Sequence, residues 1–241
     1  MRSVAEEAQP LKLQHGGRAS LADVRAAPAS FAPGAGRVVL WSIAAASPEA
    51  MSSAADRRAV TARGERLVRE LLAATLAIAP AALELAREPG GRPYVAFPPA
   101  AIAFSVAHSG VNLVLALSAT RIGVDIEHRR KRPYGELAAR AFVDSERAWV
   151  AAQEDRIGAF LRLWTAKEAV LKAAGVGIAG GLASVVVAAR ADRLMLRAAP
   201  AELGPREHWQ LAEIESETGF PGCIACDAQV RCVDVHTFVA A

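Results

Sequence analysis

Apolar and polar positions recur with two different periods along this 241-residue chain, and the periods predict its elements. From Asp56 to Ala77, Val60, Leu67, Leu71 and Leu72 fall on one side of a 3.6-residue repeat and arginines on the other. That pattern predicts an amphipathic helix, closed off before Pro80. Arg156–Ala174 predicts a second long helix, ended by Gly175 and Gly177. Between them, Glu136–Phe142 reads as a short helix, and Asp144 is placed to cap the next one, which holds Arg147 and Trp149. Strands are predicted over Arg37–Ile43, Leu83–Ala86, Pro93–Phe97, Ala101–Ala107, Val111–Ser118 and Arg121–Glu127. The last two are expected to join through a tight turn at Ala119-Thr120. Further strands are predicted over Ala183–Ala188, Arg193–Ala198, His208–Ile214, Cys223–Ala225 and Gln229–Val235.

Residues 1–36 are rich in Ala, Gly, Pro and Ser with weak periodicity, so a low-complexity tail or irregular cover is expected there. Each half of the remainder then offers one long helix and several strands. This predicts an α+β fold of two similar α/β lobes, 37–120 and 121–241, related by a pseudo-twofold. Each lobe is expected to pack its helix on a small, mostly antiparallel sheet. The site is expected in the cleft between them.

Composition narrows the class. At 53% apolar and 22% charged the chain is globular rather than disordered. A net charge of +3 and 5% aromatic residues give no reason to expect nucleic acid as a partner. Pro93–Thr120 carries no formal charge, but Pro98, Pro99, His108, Ser109, Gly110 and Asn112 interrupt it, so it reads as buried strands and not as a membrane span. Met1–Gly36 shows no apolar leader core, and the cytoplasm is the expected location. Cys223-x-x-Cys226-x5-Cys232-x3-His236 has zinc-like spacing. On a strand Cys223 and Cys226 would face opposite sides, so these thiols are expected to act as small core hydrophobes. Among 28 basic residues only Lys12, Lys131, Lys167 and Lys172 are lysines. Two of these four stand five residues apart on the second long helix.

Candidate chemistry gathers in four places. In Gly123-Val124-Asp125-Ile126-Glu127, alternation on a strand sends Asp125 and Glu127 to one side and Val124 and Ile126 to the core. Paired carboxylates suit Mg²⁺, and they equally suit the solvated face of an edge strand. In Trp164-Thr-Ala-Lys167-Glu168-Ala-Val-Leu-Lys172, Glu168 and Lys172 share a helix face with Trp164. They could form a plain surface pair, or Lys172 could meet a phosphate. Phe104-Ser-Val-Ala-His108-Ser109-Gly110 ends a strand in a turn where His108 could meet an anion or simply be solvated. Gly90-Gly91-Arg92-Pro93 reads as a hairpin turn, with Arg92 open to an anionic ligand.

Taken in order, these pieces resemble the 4′-phosphopantetheinyl transferases, over roughly Asp56–Leu182. The W-x-x-K-E-A form is similar to the larger, pseudo-dimeric, broad-specificity type. The resemblance implies that coenzyme A binds as co-substrate in the cleft, and that a serine of an apo acyl, aryl or peptidyl carrier protein attacks its β-phosphate. The phosphopantetheine arm is transferred and 3′,5′-ADP leaves. It implies Asp125, Glu127 and Glu168 as ligands of Mg²⁺ or Mn²⁺, Glu168 as base, and Lys172 at the pyrophosphate. Lys167 is expected to support the helix or the phosphates. Arg92 and His108 are expected near the 3′-phosphate and adenine, joined by Arg58 or Arg63. Arg129, Arg130 and Arg132 are candidates for the carrier surface, and the pseudo-dimeric length implies that a monomer suffices.

The family's F-N-[IL]-S-H-S appears here with Ser105 and Ala107, and its G-K-P with Arg92. The glycine-rich exit Gly177–Leu182 is kept. The alternative is a protein of the same fold that binds coenzyme A or a carrier without turnover; the intact acids argue against it. A different phosphotransferase would need a nucleotide loop such as G-x-x-x-x-G-K-[ST], and the sequence contains none.

Overall fold

A computed structural model describes residues 11–47, 53–177, 181–190, 192–215 and 219–239. In chain order the elements are β1 (Lys12–Ala19), α1 (Leu21–Ala26), β2 (Arg37–Ala44), α2 (Ala54–Thr75), β3 (Glu84–Arg87), β4 (Pro93–Phe97), β5 (Ala103–Ser109), β6 (Asn112–Ser118) and β7 (Ile122–Ile126). Then follow α3 (Tyr134–Ala141), α4 (Asp144–Ala151), α5 (Arg156–Ala174), β8 (Val186–Ala189), β9 (Leu194–Ala198), β10 (Trp209–Glu215), β11 (Pro221–Asp227) and β12 (Cys232–Phe238). The fold is α+β. Among the described helices, none is long and apolar enough to cross a membrane.

Two sheets stack between the two long helices. The first has the order β1-β12-β2-β6-β5 and the second β10-β11-β7. Alternation along the strands builds three apolar layers. On β2, Val39, Trp41 and Ile43 face α2, where Leu67, Leu71 and Leu72 meet them. Val38 and Leu40 turn the other way, into a core shared with Val124, Ile126, Ile224 and Cys226 of the second sheet. Behind that sheet, Cys223 and Ala225 pack on the α5 residues Ala166, Ala169, Val170 and Ala173. The opposite facing of Cys223 and Cys226 is therefore a strand alternation between two cores. Burial pushes the Cys226 thiol up to about 12.

Local chemistry sets the helix ends. Ser53 and Asp56 form a capping box at the start of α2, the Ser53 Oγ accepting from Asp56 N at 3.1 Å and the Asp56 carboxylate from Ser53 N at 2.8 Å. Asp155 caps α5 by accepting from Gly158 N at 3.0 Å, and Gly175 ends it in the left-handed region at φ +75°.

Four features depart from the sequence expectations. Residues 12–19 form an edge strand, parallel to β12, and 21–26 form a short helix with its own Ser20–Asp23 capping box; neither is a loose tail. The strand carries few apolar residues because all of it but the buried Ala19 is exposed, which hides it from a periodicity reading. Its register shifts between His15 and Gly17, where a side chain at Gly16 would stand 2.1 Å from the His236 ring. Second, β6 and β7 do not pair with each other, so Ala119-Thr120 carries the chain from one sheet to the other rather than around a hairpin. Third, two of the four pairings in the first sheet are parallel, β1 with β12 and β12 with β2. Fourth, Asp144 is the first residue of α4 and not its cap; Glu146 closes that end by accepting from Val143 N at 2.9 Å.

β7 meets α5 with backbone close against backbone at Gly123. A Cβ there would lie 1.9 Å from the Ala169 carbonyl oxygen of α5. Gly123→Ala is expected to push β7 off α5 and to cost about 2–3 kcal/mol of stability, read by urea unfolding.

Candidate active site

Because β7 lies against α5 at Gly123, Asp125 two positions later is delivered to the same helix. Lys172, one turn after Glu168, donates to Asp125 Oδ1 at 2.9 Å, to the Val124 carbonyl at 3.0 Å and to the Val106 carbonyl at 3.4 Å. One lysine therefore ties α5 to β7 and β5. Ser105 supports the same seam, its buried Oγ accepting from Val124 N at 3.1 Å. Ala107 faces the core between the sheets, so that position cannot present a side chain to a ligand in the cleft.

Asp125 and Glu168 are each only 8% exposed. Asp125 Oδ2 has no hydrogen-bond partner, and no hydrogen bond or ion pair holds the Glu168 carboxyl among the described residues. Burial raises the Asp125 carboxyl to about 6, against the pull of Lys172 and with a push from Glu127. Burial likewise raises Glu168 to about 7, with Asp125 and Glu127 adding repulsion and Lys172 opposing it. Glu127 is turned aside. Arg132 donates to it through Nη1 at 3.0 Å and Nη2 at 3.2 Å, and the Ser109 hydroxyl lies 3.2 Å away.

The three acids thus approach one another closely enough to repel. Among the described residues, however, no group of three His, Cys, Asp or Glu side chains is gathered closely enough to hold a metal ion. The chemistry of the set still fits a hard divalent cation. Buried Glu168 has no ion pair among the described residues, one oxygen of Asp125 is orphaned, and every donor is a carboxylate.

Next to Lys172 opens a cleft of about 780 Å³, walled by α2, β3, β4, β5, β6 and the end of α5. Arg92, His108, Ser105 and Lys172 line it, so the structure brings these four together. The β3–β4 hairpin closes one side. A Cβ at Gly90 of its tip would fall 1.5 Å from the Gly175 carbonyl oxygen, so only glycine lets the tip reach the end of α5. Arg92 is held by a bidentate pair with Glu88, one bond of which measures 3.0 Å, and this pair lowers the Glu88 carboxyl below its usual range.

Other expected residues stand outside the cleft wall. Arg58 lines a shallow dent on α2 that adjoins the cleft through Thr61, Ala62 and Glu65, and Arg63 is exposed without lining the cleft. The α2 arginines in the cleft wall are Arg66 and Arg69. The sequence signal for them is helical spacing: the cleft-facing stripe runs through Thr61, Glu65 and Val68, and Arg63 lies off it. Trp164 stacks on Phe160, with centroids 5.4 Å apart, in the core behind α5. Arg129 pairs with Asp155, so Arg130 and Lys131 are the loop cations without an ion pair among the described residues. Of the glycine-rich exit, residues 178–180 lie outside the described residues.

Lys167 does not reach the cleft at all. It is 0% exposed and bonds Glu146 at 2.7 Å and the carbonyls of Ala141, Val185 and Leu182 at 2.9, 2.7 and 3.2 Å. Glu146 in turn accepts from Val143 N and Val187 N, so the pair locks α3, α4 and β8 onto α5. Neighbouring residues on a helix point about 100° apart, so Lys167 anchors α5 while Glu168 faces the site.

Comparison with known proteins comes to the same region. Residues 121–221 match the family model described as the 4′-phosphopantetheinyl transferase superfamily. The chain is 32% identical to the 4′-phosphopantetheinyl transferase HetI of a Nostoc species, over 71% of this chain and 70% of that protein. It is 35% identical to a phosphopantetheinyl transferase of a Thraustochytrium species, over 49% of this chain and 47% of the relative. It is 32% identical to the 4′-phosphopantetheinyl transferase gsp of Aneurinibacillus migulanus, over 48% of each. The chain thus spans about half the length of the latter two relatives.

Two outcomes test this arrangement. Lys167→Met should destabilise the fold by about 3–5 kcal/mol, because Glu146 is left charged in the interior, and Glu146→Gln on top should restore part of it, both read by urea unfolding. In chelator, the folded protein holds protons on Asp125 and Glu168 up to about 6 and 7, while the unfolded chain releases them near pH 4. Their penalty is absent below that point, grows from about pH 4 upward, and levels off once pH passes the folded values. The melting temperature of Asp125→Asn/Glu168→Gln should therefore gain on wild type between about pH 4 and pH 7 and hold a constant lead above that.

Proposed function

The chain belongs to the 4′-phosphopantetheinyl transferase superfamily, and on that premise we propose that it transfers the phosphopantetheine arm of coenzyme A to a serine of an apo carrier protein. The observation that carries this reading is the placement of Asp125, Glu168 and Lys172 together beside a cleft that Arg92 and His108 also line. The W-T-A-K-E-A run favours the larger, broad-specificity type.

In this reading the cleft receives coenzyme A with its pyrophosphate toward Lys172 and its 3′-phosphate among Arg92, His108 and Arg66. The carrier serine Oγ bonds to the β-phosphorus, and the bond from that phosphorus to the bridging oxygen breaks. The oxygen departs with 3′,5′-ADP. Asp125, Glu168 and, once free of Arg132, Glu127 would hold Mg²⁺, whose chemistry there is to neutralise the phosphate oxygens. Glu168 takes the serine proton, directly or through a water. Lys172 offsets charge on the departing phosphate, and it leaves Asp125 to do so. Arg92 reaches an anion only if it is shared with Glu88, which weakens its share of coenzyme A binding. Arg130 and Lys131, exposed beside the acids, support docking of an acidic carrier there.

Incubating the protein with apo carrier, coenzyme A and Mg²⁺ should add the mass of one phosphopantetheine to the carrier. No gain on any of several carriers would sink the reading. Glu168→Gln should lower kcat by about 10² or more while the circular dichroism spectrum is kept.

A further inference from the structure

The contact between Arg132 and Glu127 goes beyond holding a loop. Arg132 ends the basic run that leaves β7, and its guanidinium spans both oxygens of Glu127 at 3.0 and 3.2 Å. Each side chain is 15% exposed, so this is a half-sheltered, forked pair rather than a solvated surface one. Ser109 adds a third contact to the same carboxylate and also accepts from His128 N at 3.0 Å, which pins the start of the loop. The other two acids of the site are in a different condition. Asp125 keeps one oxygen without a partner, and Glu168 has no hydrogen bond or ion pair among the described residues. Glu168 is thus unpaired among the described residues, Asp125 shares only one oxygen with Lys172, and Glu127 has both oxygens taken by Arg132.

We propose that Arg132 is the resident counter-ion of the cation site, keeping Glu127 out of the ligand set until a divalent ion displaces it. This rests on reading Asp125, Glu127 and Glu168 as the ligands. The consequence is a coupling. An ion that recruits Glu127 must first break a forked ion pair, so it binds more weakly than the three acids alone would allow. Its binding sets Arg132 free beside Arg130 and Lys131, on the face offered to an acidic partner. By reciprocity, a partner that engages the freed arginine tightens the hold on the cation.

The test is direct titration of Mn²⁺, followed by electron paramagnetic resonance, on wild type, Arg132→Gln, Arg132→Lys and Asp125→Asn, without coenzyme A or carrier. Arg132→Gln should bind Mn²⁺ about tenfold more tightly than wild type, a coupling of ordinary size. Arg132→Lys, which keeps the charge but not the fork, should fall between the two and serves alone if the Gln variant does not fold. Asp125→Asn should lose most of the binding. Equal or weaker affinity in both Arg132 variants, with binding still lost in Asp125→Asn, overturns the role of Arg132 and leaves the ligand reading standing. Unchanged affinity in Asp125→Asn overturns the ligand reading, and this proposal with it.

Discussion

Backbone lies on backbone where β7 crosses α5. Gly123 stands where any side chain would strike the Ala169 carbonyl, and this fixes the distance between strand and helix for the rest of the site. From that crossing, the period of the strand carries Asp125 toward Lys172, and the period of the helix carries Glu168 to the same place. The helix itself cannot slide, because Lys167 and Glu146 bolt its far side to α3, α4 and β8. A strand that approaches closely and a helix that cannot retreat together force carboxylates into a shielded space. Their repulsion is the electrostatic strain that a bound cation would relieve.

Charge around the cleft is largely balanced from within. Lys172 answers Asp125, Arg132 answers Glu127, and Glu88 answers Arg92. Glu168 alone of these groups has no ion pair among the described residues. An arrangement of this kind keeps the folded chain tolerable without ligand. It also means that an incoming anion or cation exchanges partners rather than filling free sites, so part of every binding energy is spent on breaking pairs that already exist.

Much of this was legible in the sequence. Period alone located α5 to the residue, β4 to the residue and α2 within two residues, and it put Val124 and Ile126 in the core with Asp125 and Glu127 on the other side. The motifs G-V-D-I-E and W-T-A-K-E-A brought the acids and Lys172 to one site because each sits on an element with a strict repeat. What escaped lacked such a repeat. β1 is exposed and nearly apolar-free, so nothing in its pattern marks a strand. The interior place of Lys167 depends on Glu146, twenty-one residues earlier across two helix ends, and adjacent positions in the sequence conceal that they face apart. The choice of Arg66 over Arg63 turns on helix rotation against a wall that only the fold supplies.

The position of β12 has a consequence for the order in which the molecule can assemble. It lies between β1 and β2, pairing with both in parallel, so the first sheet is bridged by residues 232–238. During synthesis the first 120 residues would leave the ribosome with β1 and β2 facing an empty lane between them. The wall of the cleft that α2 backs would wait for a segment made more than a hundred residues later. Pairing over such a separation is slow to close. The nascent chain would be most open to proteases and to wrong strand partners just before that lane is filled.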